Sequence, residues 1–496
     1  MKGGKEEAGL LALEGLEIRR SSLTLSEGWE FALAGEDIAV LAPKGSPEIG
    51  KFEGETSARG ERTLLLGPLS GRNASALRSR LPWLRPRPLG LRTSAGMGDR
   101  LGLATPGHVR AVRAVGGSIA PIFAQQSIRE MERTGRSPQR VVDDATWGAF
   151  AEGWDGDLGA DADHLKTTAN IDACLEAGYS FFTFDPGEHV DDAAEGIDPA
   201  GLREKFQGLP WDDLEDRPDD LKRRYLTKDF EFEGCCISFD ERSLAVAAVK
   251  YGRAVAHAAR MYRHLQKNAC REFEVEVSVD ETDSPTTHVQ HVYIATELKR
   301  LGVEWVSLAP RYVGRFEKGV DYIGNVEAFE RDFAVHAAIA RALGPYKLSL
   351  HSGSDKFSIY PAAVHQSRGL VHLKTAGTSY LEALRTVAAL DPALFREIYA
   401  FAREHYEEDR SSYHVSAELS RTPEPEEVDD AELTALLEGF DPREVLHVTF
   451  GSVLRKEGLR GRLLGLLRSH SEEYASNLKE HFVRHLEPFA SGGERG

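Results

Sequence analysis

Hydrophobic and polar positions along the chain follow a repeating order from about residue 91 onward. Short apolar or β-branched runs end in polar residues, and amphipathic helical segments separate them. The runs are "GLRTSAGMGD", "IAPIFAQQS", "GADADHLK", "YSFFTFDPG", "FEVEVSVDE", "VEWVSLAPR", "YKLSLHSGS" and "LVHLKTAG", with a ninth, "VLHVTFGSV", beginning at Val445. Between them, "SLAVAAVKYGRAVAHAARMYRHLQ" and "NVEAFERDFAVHAAIARALG" carry apolar residues at helical spacing. Strands alternating with helices predict a parallel sheet, and about eight such units predict a (β/α)8 TIM-like barrel. A doubly wound sheet is the rival. It would favour a glycine-rich dinucleotide fingerprint after a strand, and the glycines of "GMGDRLG" do not have that spacing.

Residues 1–90 read differently. "FALAGEDIAVLAPKG" and "GERTLLLGPLSG" are short apolar runs broken by Gly and Pro, which predict a small α/β or β-rich N-terminal domain. "LPWLRPRPLG" reads as a proline-stiffened linker into a catalytic domain over 91–496. The acidic stretch 192–232 and the segment "RTPEPEEVDDAELTALLEGFD" read as solvated insertions. Residues 381–496 read as a helical extension packed on the outside of the barrel.

Composition narrows the function classes. The chain has 496 residues, 41% hydrophobic and 28% charged, as expected of a folded globular protein. No apolar run approaches the roughly 20 residues that cross a bilayer, and "MKGGKEEAGL" has no apolar core of the signal-peptide kind, so a cytoplasmic location is expected. The four cysteines have neither a disulfide framework nor finger-type spacing. A formal net charge of −18 disfavours nucleic acid and anionic membrane as partners. A small anionic substrate then requires a locally basic pocket. Whether the chain forms a homo-oligomer is left open.

Polar clusters fall where a barrel puts its active site, at the C-terminal ends of strands. "GADADHLK" supplies Asp163, His164 and Lys166, and "FFTFDPG" supplies Asp185. In "EVEVSVDE" the residues Glu276, Ser278 and Asp280 share one face while the valines take the other. "LSLHSGSDK" carries His351, Asp355 and Lys356, and "VHLKTAG" carries His372 and Lys374. An inward Glu276 costs several kcal/mol unless paired or ligated. Three histidines and several carboxylates on different strands are a donor set for one divalent ion, with zinc, manganese, nickel and iron all open. No nucleophile-elbow pattern stands out. "LHSGSDK" is a fair anion cradle without phosphate-loop spacing.

Together, "GMGDRLGLATPGHVRAV", "PIFAQQSIREMERTGR", "DDATWGAF", "GADADHLKT", "VSVDETDSPT", "SLHSGSDKFSIYP" and "HLKTAGTSYLEALR" resemble the tagaturonate epimerase family over roughly residues 88–490. The resemblance implies a metal-dependent, cytoplasmic isomerase that interconverts the hexuronates D-tagaturonate and D-fructuronate in galacturonate breakdown. It places the proton-shuttling pair on Asp163 and Glu276 and a metal ligand on His164. His351 and His372 are assigned as the other ligands from their strand-end positions. Ser127, Lys166, Arg311 and Lys356 are expected to meet the substrate carboxylate, and Asp185 and Ser307 to complete the substrate site. Beside a bound cation Asp163 is expected to stay ionised, whereas desolvation is expected to raise the pKa of Glu276 and favour donation. The two ketoacids differ at a carbon that is alpha to neither the ketone nor the carboxylate, so a retro-aldol cleavage and re-addition is preferred to direct removal of a poorly acidic proton. The competing readings are a metal-dependent aldolase or ketose isomerase on related sugars, and a catalytically silent sugar-acid-binding barrel.

Overall fold

The computed structural model describes residues 15–490 apart from 117 and 376. Residues 18–68 form an antiparallel sheet of β1 (Ile18–Ser26), β2 (Trp29–Ala34), β3 (Asp37–Pro43), β4 (Glu55–Arg59) and β5 (Arg62–Pro68), ordered β1-β2-β3-β5-β4. Period-two alternation gives the sheet two apolar faces. Phe31, Leu33, Ile38 and Val40 join the main core, while Ala32, Ala39, Leu41 and Leu64 form a satellite cluster. Glu27 and Gly28, at φ 50° and 80°, make the tight turn between β1 and β2, where Ser26 pairs with Trp29. Positive φ at both positions matches the twist of the flanking strands.

The segment 81–90 is not a free spacer. The backbone N–H groups of Leu89 and Gly90 donate to the two oxygens of Glu274, each at 2.8 Å. Leu89 packs with Ala120, Ile122 and Phe181, closing the N-terminal floor of the barrel. Proline stiffness and burial hold this stretch in place.

Eight parallel strands form the closed barrel: β6 (Ser94–Gly96), β7 (Ala120–Ser127), β8 (Gly159–Leu165), β9 (Phe181–Phe184), β12 (Glu274–Val279), β13 (Ser307–Pro310), β14 (Lys347–Leu350) and β15 (Val371–Lys374). Each coincides with one of the first eight runs above. β15 pairs with β6 and completes the ring. The ninth run is helical instead, divided between helices Phe440–Val448 and Phe450–Arg455. Its residues are buried, and a short apolar run carries no periodicity that separates a buried helix from a strand. A closed barrel also has no free edge for a ninth strand.

Between β9 and β12 lie two 3-10 turns, two short α-helices, the hairpin β10 (Phe230–Phe232) and β11 (Cys235–Ile237), and the long helix Glu241–Asn268. The acidic stretch 192–232 is not simply solvated: Leu202, Phe206, Leu221 and Tyr225 are buried. Likewise Leu433 and Leu437 anchor the segment 421–441. In both, the acidic residues cover a buried apolar stripe that their charge hides from compositional reading. The C-terminal helices wrap the barrel. Helix Ser471–Ala490 crosses helix Thr105–Ala114 so closely that a Cβ on Gly107 would lie 2.4 Å from Leu478 Cβ. Among the described residues no helix is long and apolar enough to cross a membrane.

Candidate active site

In a regular strand, neighbouring side chains point to opposite faces, so Asp163 and His164 should not share one site. The pairing of β8 with β9 explains how they do. From Ala162 to Leu165, β8 advances three residues while β9 advances two, Phe182 to Phe184. The extra residue is a β-bulge, and His164 sits in it at φ 51°. A left-handed conformation at a non-glycine residue costs on the order of 1–3 kcal/mol and persists where the surroundings impose it. Asp161 and Asp163 point inward by ordinary alternation; the bulge turns His164 to the same mouth. The turn after β14 is held similarly, with Ser352 and Asp355 at φ 47° and 61°.

Inside the ring, Lys374 of β15 is the hub of a buried charge cluster. Its Nζ lies 2.9 Å from Asp161 Oδ2, 2.7 Å from Asp163 Oδ1 and 2.8 Å from Glu276 Oε1, and 2.6 Å from Thr183 Oγ1. Burial lowers the ammonium pKa, but Asp161, Asp163 and Glu276 outweigh it and hold the group protonated. Gln125 donates to the second oxygen of Asp163 at 3.0 Å. Burial raises the Asp163 pKa, yet Lys374, His164 and His351 bring it below the ordinary range. Glu276 departs from expectation. Burial does raise its pKa, but Lys374 and His351, whose Nε2 is 2.6 Å away, bring it well below the ordinary range. The carboxyl that moves up is Asp161, pushed to about 7 by burial, against Lys374 and together with Asp163 and Glu276.

Asp163, His164 and His351 present ligand atoms that all lie within 4.8 Å of one another. His164 Nδ1 meets Asp185 Oδ2 at 3.1 Å, and His351 Nδ1 meets Asp280 Oδ1 at 3.2 Å. Burial disfavours the imidazolium form of both, but Asp163 beside His164 and Asp280 beside His351 raise them to about 10 and about 9. Two imidazoles and a carboxylate at one point, with outer carboxylates orienting the rings, form a donor set that fits a divalent cation. A metal ion bound there would take the place of the protons these carboxylates otherwise hold on the rings.

His372 is not in this group. Its Nδ1 is 2.9 Å from Ser94 Oγ, its ring stands 5.2 Å from Phe181, and it is fully buried, so the third group that converges with His164 and His351 is Asp163 instead. Ser307 pairs in register with Glu276 and Lys347 and does not line the mouth. Lys356 is also displaced from its expected role. Fully buried, it donates to the carbonyls of Glu317, Val320 and Ser354 at 2.8, 2.5 and 3.0 Å, so its three protons are spent pinning two loops. Lys166 lies at the rim, 3.3 Å from Glu188. Ser127 lines the inner mouth and caps helix Ile128–Thr134, and Arg311 lines the outer mouth.

Above these groups opens a cavity of about 320 Å³, lined among others by Arg129, His164, Arg311, Lys318, His351 and Ser352. Arg129 and Lys318 are cations that sequence reasoning missed. Lys318 Nζ lies 2.6 Å from Ser352 Oγ and, among the described residues, has no carboxylate within ion-pair distance, while Arg129 has Glu281 alone, at 3.3 Å. They provide the local basic patch that an anionic ligand needs in a chain of charge −18. The available signal for Arg129 was its place two residues beyond Ser127 at the end of β7. Lys318 lies in the long loop after β13, where no pattern marks it.

The chain matches the tagaturonate epimerase family over residues 35–489. It is 43% identical over 476 residues to the tagaturonate/fructuronate epimerase of Thermotoga maritima, covering 95% of this chain and 97% of that protein. Crystal structures of fructuronate-tagaturonate epimerase from Cohnella laeviribosi superpose with a TM-score of 0.89. A glycerol complex is 35% identical and covers 99% of both chains, and a native form is 36% identical and covers 97% of both.

Proposed function

The chain belongs to the tagaturonate epimerase family and is an isomerase of the epimerase class, and from that premise we propose that it interconverts D-tagaturonate and D-fructuronate with Asp163 and Glu276 as its proton-transfer groups. The observation that carries this reading is the bulged β8. It brings Asp163 and His164 to one mouth, with Glu276 joined to Asp163 through Lys374 and with Arg129 and Lys318 facing the cavity above. The substrate carboxylate binds at these two cations, which directs the polyol chain toward the carboxylates.

The epimerised carbon is beta to the ketone, and its hydroxyl proton is far easier to remove than its C–H proton. One carboxylate of the pair accepts that hydroxyl proton. The bond to the neighbouring carbon breaks, its electron pair passes into the enediolate of the ketone half, and the hydroxyl-bearing carbon becomes an aldehyde. The aldehyde half turns over, the same bond re-forms on its opposite face, and the proton taken by the first carboxylate, relayed through Lys374 to the other, is returned to the new alkoxide. Lys374, within 3 Å of both carboxylates, equalises their charge as protonation changes hands. Asp163, His164 and His351 would hold a divalent cation, whose Lewis acidity lowers the energy of enediolate-type charge.

The test is NMR of D-fructuronate incubated with the protein in D₂O, before and after chelation. Epimer formation without deuterium at the epimerised carbon, lost on chelation and restored by a divalent metal, is the expected result. Deuterium at that carbon would replace the retro-aldol route by C–H removal, and full activity after complete metal removal would refute the metal requirement.

A further inference from the structure

Outside the barrel, on the flank of the wall that carries Tyr312, two neighbouring helices bring a second set of metal-ligating side chains together. His288 opens helix His288–Arg300, and Asp332 and His336 lie one turn apart on helix Val326–Leu343. His288 Nε2 is 2.9 Å from Asp332 Oδ1, and His336 Nε2 is 3.6 Å from Asp332 Oδ2. The two imidazole rings stand 4.9 Å apart at 73°. Ligands bonded to a tetrahedral ion at about 2.0–2.2 Å are separated from each other by roughly 3.4 Å, and these separations fall on either side of that value.

The cluster's hydrogen bonding is incomplete. His336 is fully buried, and among the described residues its Nε2 and Asp332 Oδ2, 3.6 Å apart, make no hydrogen bond of ordinary geometry, the backbones of Thr286 and Val313 giving only weaker contacts to the two residues. The other nitrogen of His336 is fixed. His336 Nδ1 lies 2.8 Å from His291 Nδ1, and His291 Nε2 lies 2.8 Å from the Tyr346 hydroxyl. With the proton of the His336–His291 bond on His336 Nδ1, Nε2 presents a lone pair. This is how an outer hydrogen bond sets the tautomer of a metal-bound imidazole. Burial holds His336 well below its ordinary pKa, which keeps the ring neutral and able to ligate. His288 is partly exposed, giving an ion an entry path.

We propose that His288, Asp332 and His336 form a second metal site, of the zinc class, that staples helix His288–Arg300 to helix Val326–Leu343. Water or a backbone carbonyl completes a four-coordinate shell. The site is separate from the group around His164. Its mechanical target is the cavity wall, because Tyr312 packs its ring 5.7 Å from His336 and donates its hydroxyl to the Ser349 carbonyl.

The experiment is zinc stoichiometry of the full chain, stripped with chelator, reloaded with zinc and freed of excess by gel filtration. The His164→Ala variant is expected to keep one zinc per chain at the outer site. Adding His288→Ala and His336→Ala to it should abolish that ion, and His288→Ala/His336→Ala alone should lose one equivalent relative to the parent while retaining epimerisation. Should the double variant fail to fold, His288→Gln, at a partly exposed helix start, provides the same comparison. Thermal unfolding gives a second readout, with zinc raising the melting temperature of His164→Ala but not of His164→Ala/His288→Gln. Zinc content and zinc-induced stabilisation unchanged by substitution at His288 would overturn the proposal. Loss of zinc from His164→Ala alone, with the outer variants unaffected, would assign all binding to the barrel mouth and overturn it as well.

Discussion

At the scale of single residues, Asp163 and Glu276 share one ammonium but not one environment. Asp163 lies at the cavity and touches Gln125, whereas Glu276 is fully buried and held by His351. Asp163→Asn and Glu276→Gln should each lower kcat by at least about 100-fold, the usual scale of lost acid–base catalysis; metal content should be unchanged in Glu276→Gln and reduced in Asp163→Asn, whose carboxylate is also one of the three converging donors. Near-normal turnover in either variant would remove that residue from the pair. The lysines divide equally sharply. Lys318→Met should raise KM for the uronates by at least about tenfold and leave uncharged ketohexoses little affected, as expected for loss of a charge-assisted contact. Lys356→Met should instead lower thermal stability and affect both substrate types alike, because three buried carbonyls lose their donor. Steady-state kinetics on both substrate classes, paired with melting curves, separates the two outcomes.

At the scale of elements, the strand-end clusters were legible because a barrel strand is a short apolar run whose polar terminus faces the site. The bulge was not legible. His164 adopts φ 51° without a glycine to announce it, so the sequence "DADH" shows crowding but not the register that puts adjacent residues on one face. Lys356 and His372 were misread for a related reason: position at a strand end says nothing about depth or about which carbonyls lie within reach. Helix Phe440–Val448, whose second half belongs to the ninth run read as strand, carries a measurable feature of its own. Glu444, fully buried, accepts from the N–H groups of Ser416 and Ala417 at 3.1 and 2.9 Å, and Glu317 accepts from Ser416 beside it. Burial first, then Glu317, push the Glu444 carboxyl from its ordinary 4.5 up to about 8. Between those values the unfolded chain has released a proton that the folded chain keeps, so stability falls as pH rises through this window. Glu444→Gln should therefore gain melting temperature over the parent at pH 8.5 and show no such gain near pH 4.5. Parallel melting curves at both pH values would refute the assignment.

At the scale of the whole molecule, the (β/α)8 architecture followed from eight runs and the helices between them. What composition hid was burial under acidic surfaces: 192–232 and 421–441 pack apolar residues beneath their charges, and 81–90 seals the barrel floor instead of swinging free. One residue couples distant parts of this architecture. Lys374→Met would leave Asp161, Asp163 and Glu276, from two other strands, without their shared cation, and breaking a buried pair by removing one partner typically costs about 3–5 kcal/mol. Denaturant unfolding of this variant should show a loss of that size or larger, partly recovered by Asp161→Asn in the same chain. An unchanged unfolding midpoint would mean the cluster is neutralised by other means.

The pairing of β15 with β6 has a consequence in time as well as space. Ser94 and His372, neighbours across that seam, are 278 residues apart in the chain, and long-range pairings are slow because the intervening chain must be ordered before the contact returns any free energy. The N-terminal sheet, whose strands all lie within residues 18–68, faces no such delay. Lys374 arrives with the closing strand, so the three carboxylates that depend on it gain their counter-charge only as the ring shuts. A chain whose β15 has not joined the ring therefore lacks the cation that links Asp161, Asp163 and Glu276.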